Sequence, residues 1–246
     1  MTVNAFDAYS PSTADEMKRA LAAGYVAQGV YFTKPNLQAD LPAFFAACAS
    51  SGFKCWLIDE TTGSAAVFAG KATQGMVDGQ NAARLAEKYG APPGTSIFFA
   101  VDFSAQQSDV ANIQAYFTAY KGACAPYVAR MYADGLVSEA VEPGGGWYIP
   151  AATGWPGYAA AIAAGKAAIV QEPPASFFGL DADPCTVYDE SVLWQPAGTD
   201  SVVVPPAPAA NPMPALKACQ AYLGVTADGI WGPVTAAAFE KYYAIG

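Results

Sequence analysis

Asp7, Asp59, Glu60 and Asp102 each close a short apolar run, and Asp181 and Asp183 follow another. If those runs are parallel strands, their acids meet at one opening. Carboxyls gathered there raise one another's affinity for protons, which suits a general acid working near neutral pH. By pleat alternation only one of the neighbours Asp59 and Glu60 faces that opening. Aspartate also caps helices and ends strands for structural reasons. It is the recurrence at the same end of successive runs that points to an acidic functional mouth. The sequence contains no histidine. That removes Ser-His-Asp and Cys-His hydrolases and the His-ligated zinc amidases and peptidases. Chemistry run by carboxylates remains, and among enzymes that cut cell walls that class is the glycoside hydrolases.

Aromatic side chains fall close to the same strand ends. Tyr9, Tyr31, Tyr132, Tyr148 and Trp155 could offer ring faces on which sugars stack, and Gln171 ends a later apolar run. These six are the candidate substrate-binding residues. No cofactor is expected. The five cysteines, Cys48, Cys55, Cys124, Cys185 and Cys219, lack metal-site spacing and read as small buried hydrophobes.

The elements that must position these residues alternate between two periods. Strand-like runs at Val3–Asp7, Val26–Thr33, Lys54–Glu60, Ser96–Phe103 and Tyr127–Tyr132 are nearly unbroken in apolar character. Helical patterns separate them: Ala14–Ala23, a segment opened by Asp40-Leu41-Pro42 and stopped by Gly52, Gln80–Tyr89, and one capped by Ser108. Beyond Tyr132 the units shorten. Trp147–Ala152 and Ala167–Gln171 remain strand-like, between stretches rich in Gly, Pro and Ala. The expected fold is α/β, a distorted TIM-type (β/α) barrel with abbreviated last units and a parallel sheet, plus a small all-α C-terminal module. No glycine-rich phosphate loop follows the first strand, which argues against a nucleotide site.

Hydrophobic residues make up 53% of the 246 and charged residues 13%, so a large core can form; the net charge of −9 gives no footprint for nucleic acid. No apolar stretch approaches bilayer length, so membrane insertion is not expected. Met1–Asp7 lacks a basic n-region and a signal core. The expectation is synthesis in the host cytoplasm and action at the bacterial cell wall after release through a holin or another route without a signal peptide.

The runs Phe6-Asp7-Ala8-Tyr9-Ser10-Pro11-Ser12, Gly29-Val30-Tyr31, Trp56-Leu57-Ile58-Asp59-Glu60 and Leu180-Asp181-Ala182-Asp183 come in a telling order. With the more specific Pro93-Gly94-Thr95-Ser96-Ile97-Phe98-Phe99-Ala100-Val101-Asp102-Phe103, they resemble a bacterial and phage family of glycoside-hydrolase-like barrels related in fold to the family-25 lysozymes. The likeness spans most of residues 1–196. It implies a cell-wall glycan ligand and matches Asp7, Glu60, Asp102 and Asp181 to the family's acids at the barrel mouth. Family-25 lysozymes end their fourth strand in Asp-x-Glu, whose Glu is the general acid; here the stretch reads Asp102-Phe103-Ser104. Glu60 is the candidate substitute, with Asp102 or Asp181 orienting an acetamido group or a water.

Closely spaced prolines between Val202 and Pro212 mark a spacer. The expected organisation is a barrel over 1–198, a linker over 199–213 and a module over 214–246. Leu223-Gly224-Val225-Thr226-Ala227-Asp228-Gly229-Ile230-Trp231-Gly232-Pro233-Val234-Thr235 closely resembles the peptidoglycan-binding type 1 module. That likeness implies wall binding by Asp228, Gly229, Trp231 and Thr235, and makes peptidoglycan the expected partner of a monomeric chain. Three functions fit: a wall-degrading glycosidase of phage endolysin type, a non-catalytic glycan-binding protein with a degenerate barrel, or an antibacterial effector.

Overall fold

The computed structural model describes residues 2–60, 64–173, 175–177 and 180–197, and in the tail only 217, 220–221 and 225–227. The expected linker therefore falls outside the described residues, as do Cys219 and the four wall-binding candidates Asp228, Gly229, Trp231 and Thr235.

Among the described residues, fifteen helices and strands follow one another: β1 (Val3–Ala8), α1 (Ala14–Ala22), β2 (Tyr25–Tyr31), α2 (Leu41–Ser51), β3 (Lys54–Asp59), α3 (Lys71–Lys88), β4 (Ser96–Ala100), α4 (Gln107–Ala123), β5 (Val128–Tyr132), α5 (Gly135–Val141), β6 (Trp147–Ile149), α6 (Tyr158–Ala164), β7 (Ala167–Gln171), β8 (Ala175–Phe177) and β9 (Leu180–Val187). Strands β1 to β7 are parallel neighbours in chain order. β9 then pairs with both β7 and β1 and closes an eight-stranded barrel. The TIM-type reading and the shortened last units hold: α5 and α6 have seven residues each and β6 has three. The all-parallel sheet does not. β9 runs antiparallel to both neighbours, and β8 forms a hairpin with its first residues. With no helical crossover left after β7, the chain turns back directly, and a direct return is antiparallel.

Strand alternation sorts the core into two layers. Ala5, Ala27, Trp56, Phe98, Tyr148 and Cys185 fill the barrel. Phe6, Val30, Leu57, Ile97, Phe99 and Met131 face outward to Met17, Phe44, Leu85 and Phe117 of the helices. The described cysteines Cys48, Cys55, Cys124 and Cys185 are all buried, as their apolar settings imply.

Two close approaches depend on glycine. A Cβ on Gly29 would lie 2.6 Å from the Trp56 indole, so Gly29 makes room for that ring inside the barrel. On α3, a Cβ on Gly75 or Gly79 would stand 2.1 or 2.5 Å from the carbonyl oxygens of Tyr116 or Tyr120 on α4. These glycines explain why the sequence shows only the second half of α3. Each weakens the local helix preference by about 1 kcal/mol relative to Ala, and the packing that requires them is tertiary. α4 likewise begins earlier than Ser108. Gln106 is its N-cap, and Asp109 accepts the Gln106 backbone N–H at 2.8 Å.

Gly75→Ala should cost about 1–3 kcal/mol by overpacking, a fall in Tm of roughly 2–10 °C. Gly122→Ala, on α4 with open space around it, should leave Tm unchanged or slightly raised. Thermal denaturation followed by circular dichroism tests the pair, and equal effects would contradict the packing argument.

Candidate active site

The C-terminal ends of the parallel strands gather the acids. Asp7 lies on β1, Glu60 directly follows β3, and Asp102 lies two residues beyond β4. Asp183 reaches the same end by another route. It lies inside β9, not after the last strand as the sequence suggests, and antiparallel register sets it directly opposite Asp7. Asp181 is also within β9, its backbone opposite Ser176; its side chain lies outside the described residues.

Adjacent Asp59 and Glu60 part as pleating requires. Asp59 points outward into the helical layer, where Thr33 Oγ1 and Tyr120 Oη each donate to it at 2.7 Å. Glu60 stays at the rim in an ion pair with Lys34 at 2.8 Å. To carry a proton to a substrate, its carboxylate would first have to leave that ammonium.

Asp7 forms the floor and is only 2% exposed. Tyr148 Oη donates to its Oδ2, and Gln171 Nε2 lies 3.4 and 3.5 Å from its two oxygens. The same amide nitrogen donates to Asp183 Oδ2 at 2.9 Å, while Gln171 Oε1 accepts the Ala151 N–H at 2.8 Å. Gln171 is thus fixed at one end and joins two carboxyls at the other. Burial pushes the Asp7 carboxyl up to about 7; its Tyr148 and Gln171 bonds pull it down, and the charges of Asp183 and Asp102 push it up. Asp102 stands at the rim. Partial desolvation raises its proton affinity, repulsion from Glu60 and Asp183 adds to this, and Lys34 opposes it. Tyr31 feels all four acids: burial raises its phenol first, then Asp7, Glu60, Asp102 and Asp183.

Above this floor opens a cleft of about 340 Å³, near the lower end of small-molecule sites, which run about 300–1,000 Å³. Asp102 and Asp183 line it with Tyr31, Tyr132, Trp155 and Gln171. Four of the six candidate sugar-binding residues therefore converge there. Tyr9 lies outside it, 52% exposed, with its ring 6.2 Å from that of Tyr31. Tyr148 needs correction as a stacking residue. It is fully buried, Tyr132 stacks on it at 4.1 Å, and the edges of Trp56 and Phe98 close around it. Its part is to hold Asp7.

Sequence reasoning undervalued Asp183 and passed over Lys34. A signal for Asp183 existed: residues two apart on a strand share a face, so Asp181 and Asp183 belong together. Lys34 had none, because a lysine after a strand says nothing of the acid across from it.

A second buried acid, Asp78, sits on α3. Gln74 Nε2 donates to it at 2.9 Å and Tyr116 Oη also donates to it. Burial lifts Asp78 to about 7 and Asp59 to about 6, each pulled back by its hydrogen bonds.

A family model described as "Rv2525c-like, glycoside hydrolase-like domain" matches residues 18–194. Among solved structures, the Mycobacterium tuberculosis Tat-secreted protein Rv2525c in complex with HEPES is similar at 17% identity and a TM-score of 0.59, over 76% of this chain and 95% of that one. An uncharacterized B. stearothermophilus protein is similar at 18% identity and a TM-score of 0.56, over 78% of this chain and 100% of that one. The modular autolysin LytC from Streptococcus pneumoniae, in complex with a synthetic peptidoglycan ligand, matches at 10% identity and a TM-score of 0.52, over 76% of this chain and 47% of that one. At these identities the likeness is one of fold. A comparison with curated proteins gives no significant match.

The buried acids make stability depend on pH with a definite sign. Asp7, Asp59 and Asp78 hold protons in the folded chain up to about pH 6–7, but in the unfolded chain only to about pH 4. Between those limits the folded state binds more protons, so its stability falls as pH rises. Tm should drop by roughly 5 °C or more from about pH 5 to about pH 8, and Asp78→Asn should flatten the decline. A Tm that rises over this interval would contradict the assignment.

Proposed function

Because the chain belongs to the Rv2525c-like glycoside hydrolase-like family, we propose that its barrel mouth binds bacterial cell-wall glycan and hydrolyses a glycosidic bond, with Asp102 as the proton donor. The observation that carries this reading is the pair of acids, Asp102 and Asp183, lining one open cleft. Asp102 is exposed to the cleft and its proton affinity is raised, the two properties a general acid needs. Its proton passes to the glycosidic oxygen as the bond to the anomeric carbon breaks. Asp183, oriented by Gln171, takes a proton from the water that attacks that carbon, or steadies the substrate's acetamido group against it. Asp7 touches no substrate and acts as a positioning residue through Gln171. This moves the proton donor from Glu60 to Asp102; Glu60 and Lys34 then adjust the charge Asp102 feels.

Support for a wall glycan comes from two directions. The autolysin that shares the fold was solved with synthetic peptidoglycan. The tail's run through Asp228-Gly229, Trp231 and Thr235 resembles the peptidoglycan-binding type 1 motif, and linking such a module to the barrel would raise the effective concentration of substrate at the mouth. A wall-hydrolase barrel joined to a wall-binding tail is the build of a phage endolysin, the setting we favour. A second reading, glycan binding without cleavage, is favoured by one feature: Ser104 stands where family-25 lysozymes carry their acid.

Release of reducing sugars from purified peptidoglycan separates the two. Hydrolysis predicts steady release by the wild type and a loss of about 100-fold or more in Asp102→Asn, with the wild-type rate falling as pH rises and Asp102 loses its proton. No release at any pH, with binding intact, would leave only the second reading. For the tail, full-length chain should sediment with insoluble peptidoglycan, and Trp231→Ala should cut the bound fraction several-fold; equal sedimentation would remove Trp231 from the wall contact.

A further inference from the structure

We propose that Tyr9 and Tyr31 form an outer saccharide subsite continuing the cleft, so that the mouth takes an internal stretch of glycan chain and not a single terminal sugar. The inference rests on the reading of the cleft as a glycan site and adds the length and direction of what it holds. At about 340 Å³ the cleft has room for a sugar ring but not for several. A polymer passing through it must lie against the surface outside, and on the β1–β2 side that surface is aromatic.

Tyr9 is the first residue beyond β1 and is 52% exposed. Among the described residues the other exposed large aromatic, Tyr188, follows the C-terminal end of β9, which the antiparallel register puts at the opposite end of the barrel. The Tyr9 ring is exposed but held. Asn36 Nδ2 donates to its hydroxyl at 2.9 Å. Asn36 belongs to the short 3-10 turn Pro35–Leu37, and Leu37 anchors that turn in the inner core. A ring fixed before binding loses little conformational freedom when a ligand covers it.

Tyr31 supplies the continuity. Its ring lies 6.2 Å from Tyr9 at an angle of 38°, and Tyr31 itself lines the cleft. Tyr31, mostly buried, thus backs the exposed Tyr9 ring and links it to the wall of the cleft. Pyranose rings present C–H faces suited to such a wall, while their hydroxyl and amide groups can turn toward the acids of the floor.

The test is binding of peptide-free, reduced GlcNAc–MurNAc strands of two, four and six sugars to the full-length chain, in the Asp102→Asn background so that no bond is cut during the titration. Affinity should rise with length. Tyr9→Ala should weaken the six-sugar strand by about five-fold or more and leave the two-sugar strand within about two-fold. Tyr9→Phe, which keeps the ring, should stay close to the parent. Being exposed, Tyr9 can be changed without loss of the fold, which an unaltered melting curve verifies. Affinity independent of length, or an equal effect of Tyr9→Ala on every strand, overturns the outer subsite and leaves the cleft reading intact. Failure of every strand to bind overturns both.

Discussion

A carboxyl group buried at the floor of the barrel, held by a phenol and an amide, sets the terms for the mouth above it. Taking an ionised carboxylate out of water without pairing costs several kcal/mol, so Asp7 keeps its proton close to neutral pH. The groups that make this tolerable are themselves fixed by packing. Tyr148 is wedged between Tyr132, Trp56 and Phe98, and Gln171 is tied to the Ala151 backbone. Asp183 is therefore aimed into the cleft by a chain of contacts that begins in the hydrophobic interior. A neutral Asp7 also removes one charge from a crowded set of acids, leaving the others easier to accommodate.

The same solution recurs on the outside of the barrel. Asp59 and Asp78 lie between the strands and the α3–α4 pair, each bonded to a tyrosine of α4. Tyr116 and Tyr120 reach them because Gly75 and Gly79 let the two helices touch through their backbones. Thr33 and Lys34, consecutive after β2, bind Asp59 and Glu60, consecutive at the end of β3. One pair faces the helices and the other the mouth. A change in the protonation of Asp59 is thus one residue removed from the rim of the cleft.

The barrel alone does not decide the chemistry, since one fold carries many activities. What distinguishes this mouth is the disposition of its acids: one buried and protonated, one paired with lysine, and two open to the cleft. In family-25 lysozymes the fourth strand supplies two acids; here it supplies Asp102, and a closing strand of opposite direction contributes Asp183 across from Asp7. In glycoside hydrolysis run by two carboxyls, their separation decides whether the anomeric configuration is retained or inverted.

Much of this architecture is legible from residue order. The period-two and helical runs through Tyr132 place five strands and most of their helices, because each unit's burial pattern is local. The family likeness and the acids at strand ends are equally local. The absence of histidine limits the chemistry before any coordinates exist. Three things are not written in any one segment. The direction of β9 follows from barrel closure, which needs β7 and β1 to have been brought together first. The first half of α3 is hidden by glycines whose only reason is the neighbouring helix. The roles of Asp7, Tyr148 and Lys34 depend on partners 141 residues away for Asp7 and Tyr148 and 26 for Lys34 and Glu60. Sequence fixes which side chains stand at the strand ends; burial and cross-strand contact, both products of the closed barrel, decide which of them holds a proton, which is paired and which meets a ligand.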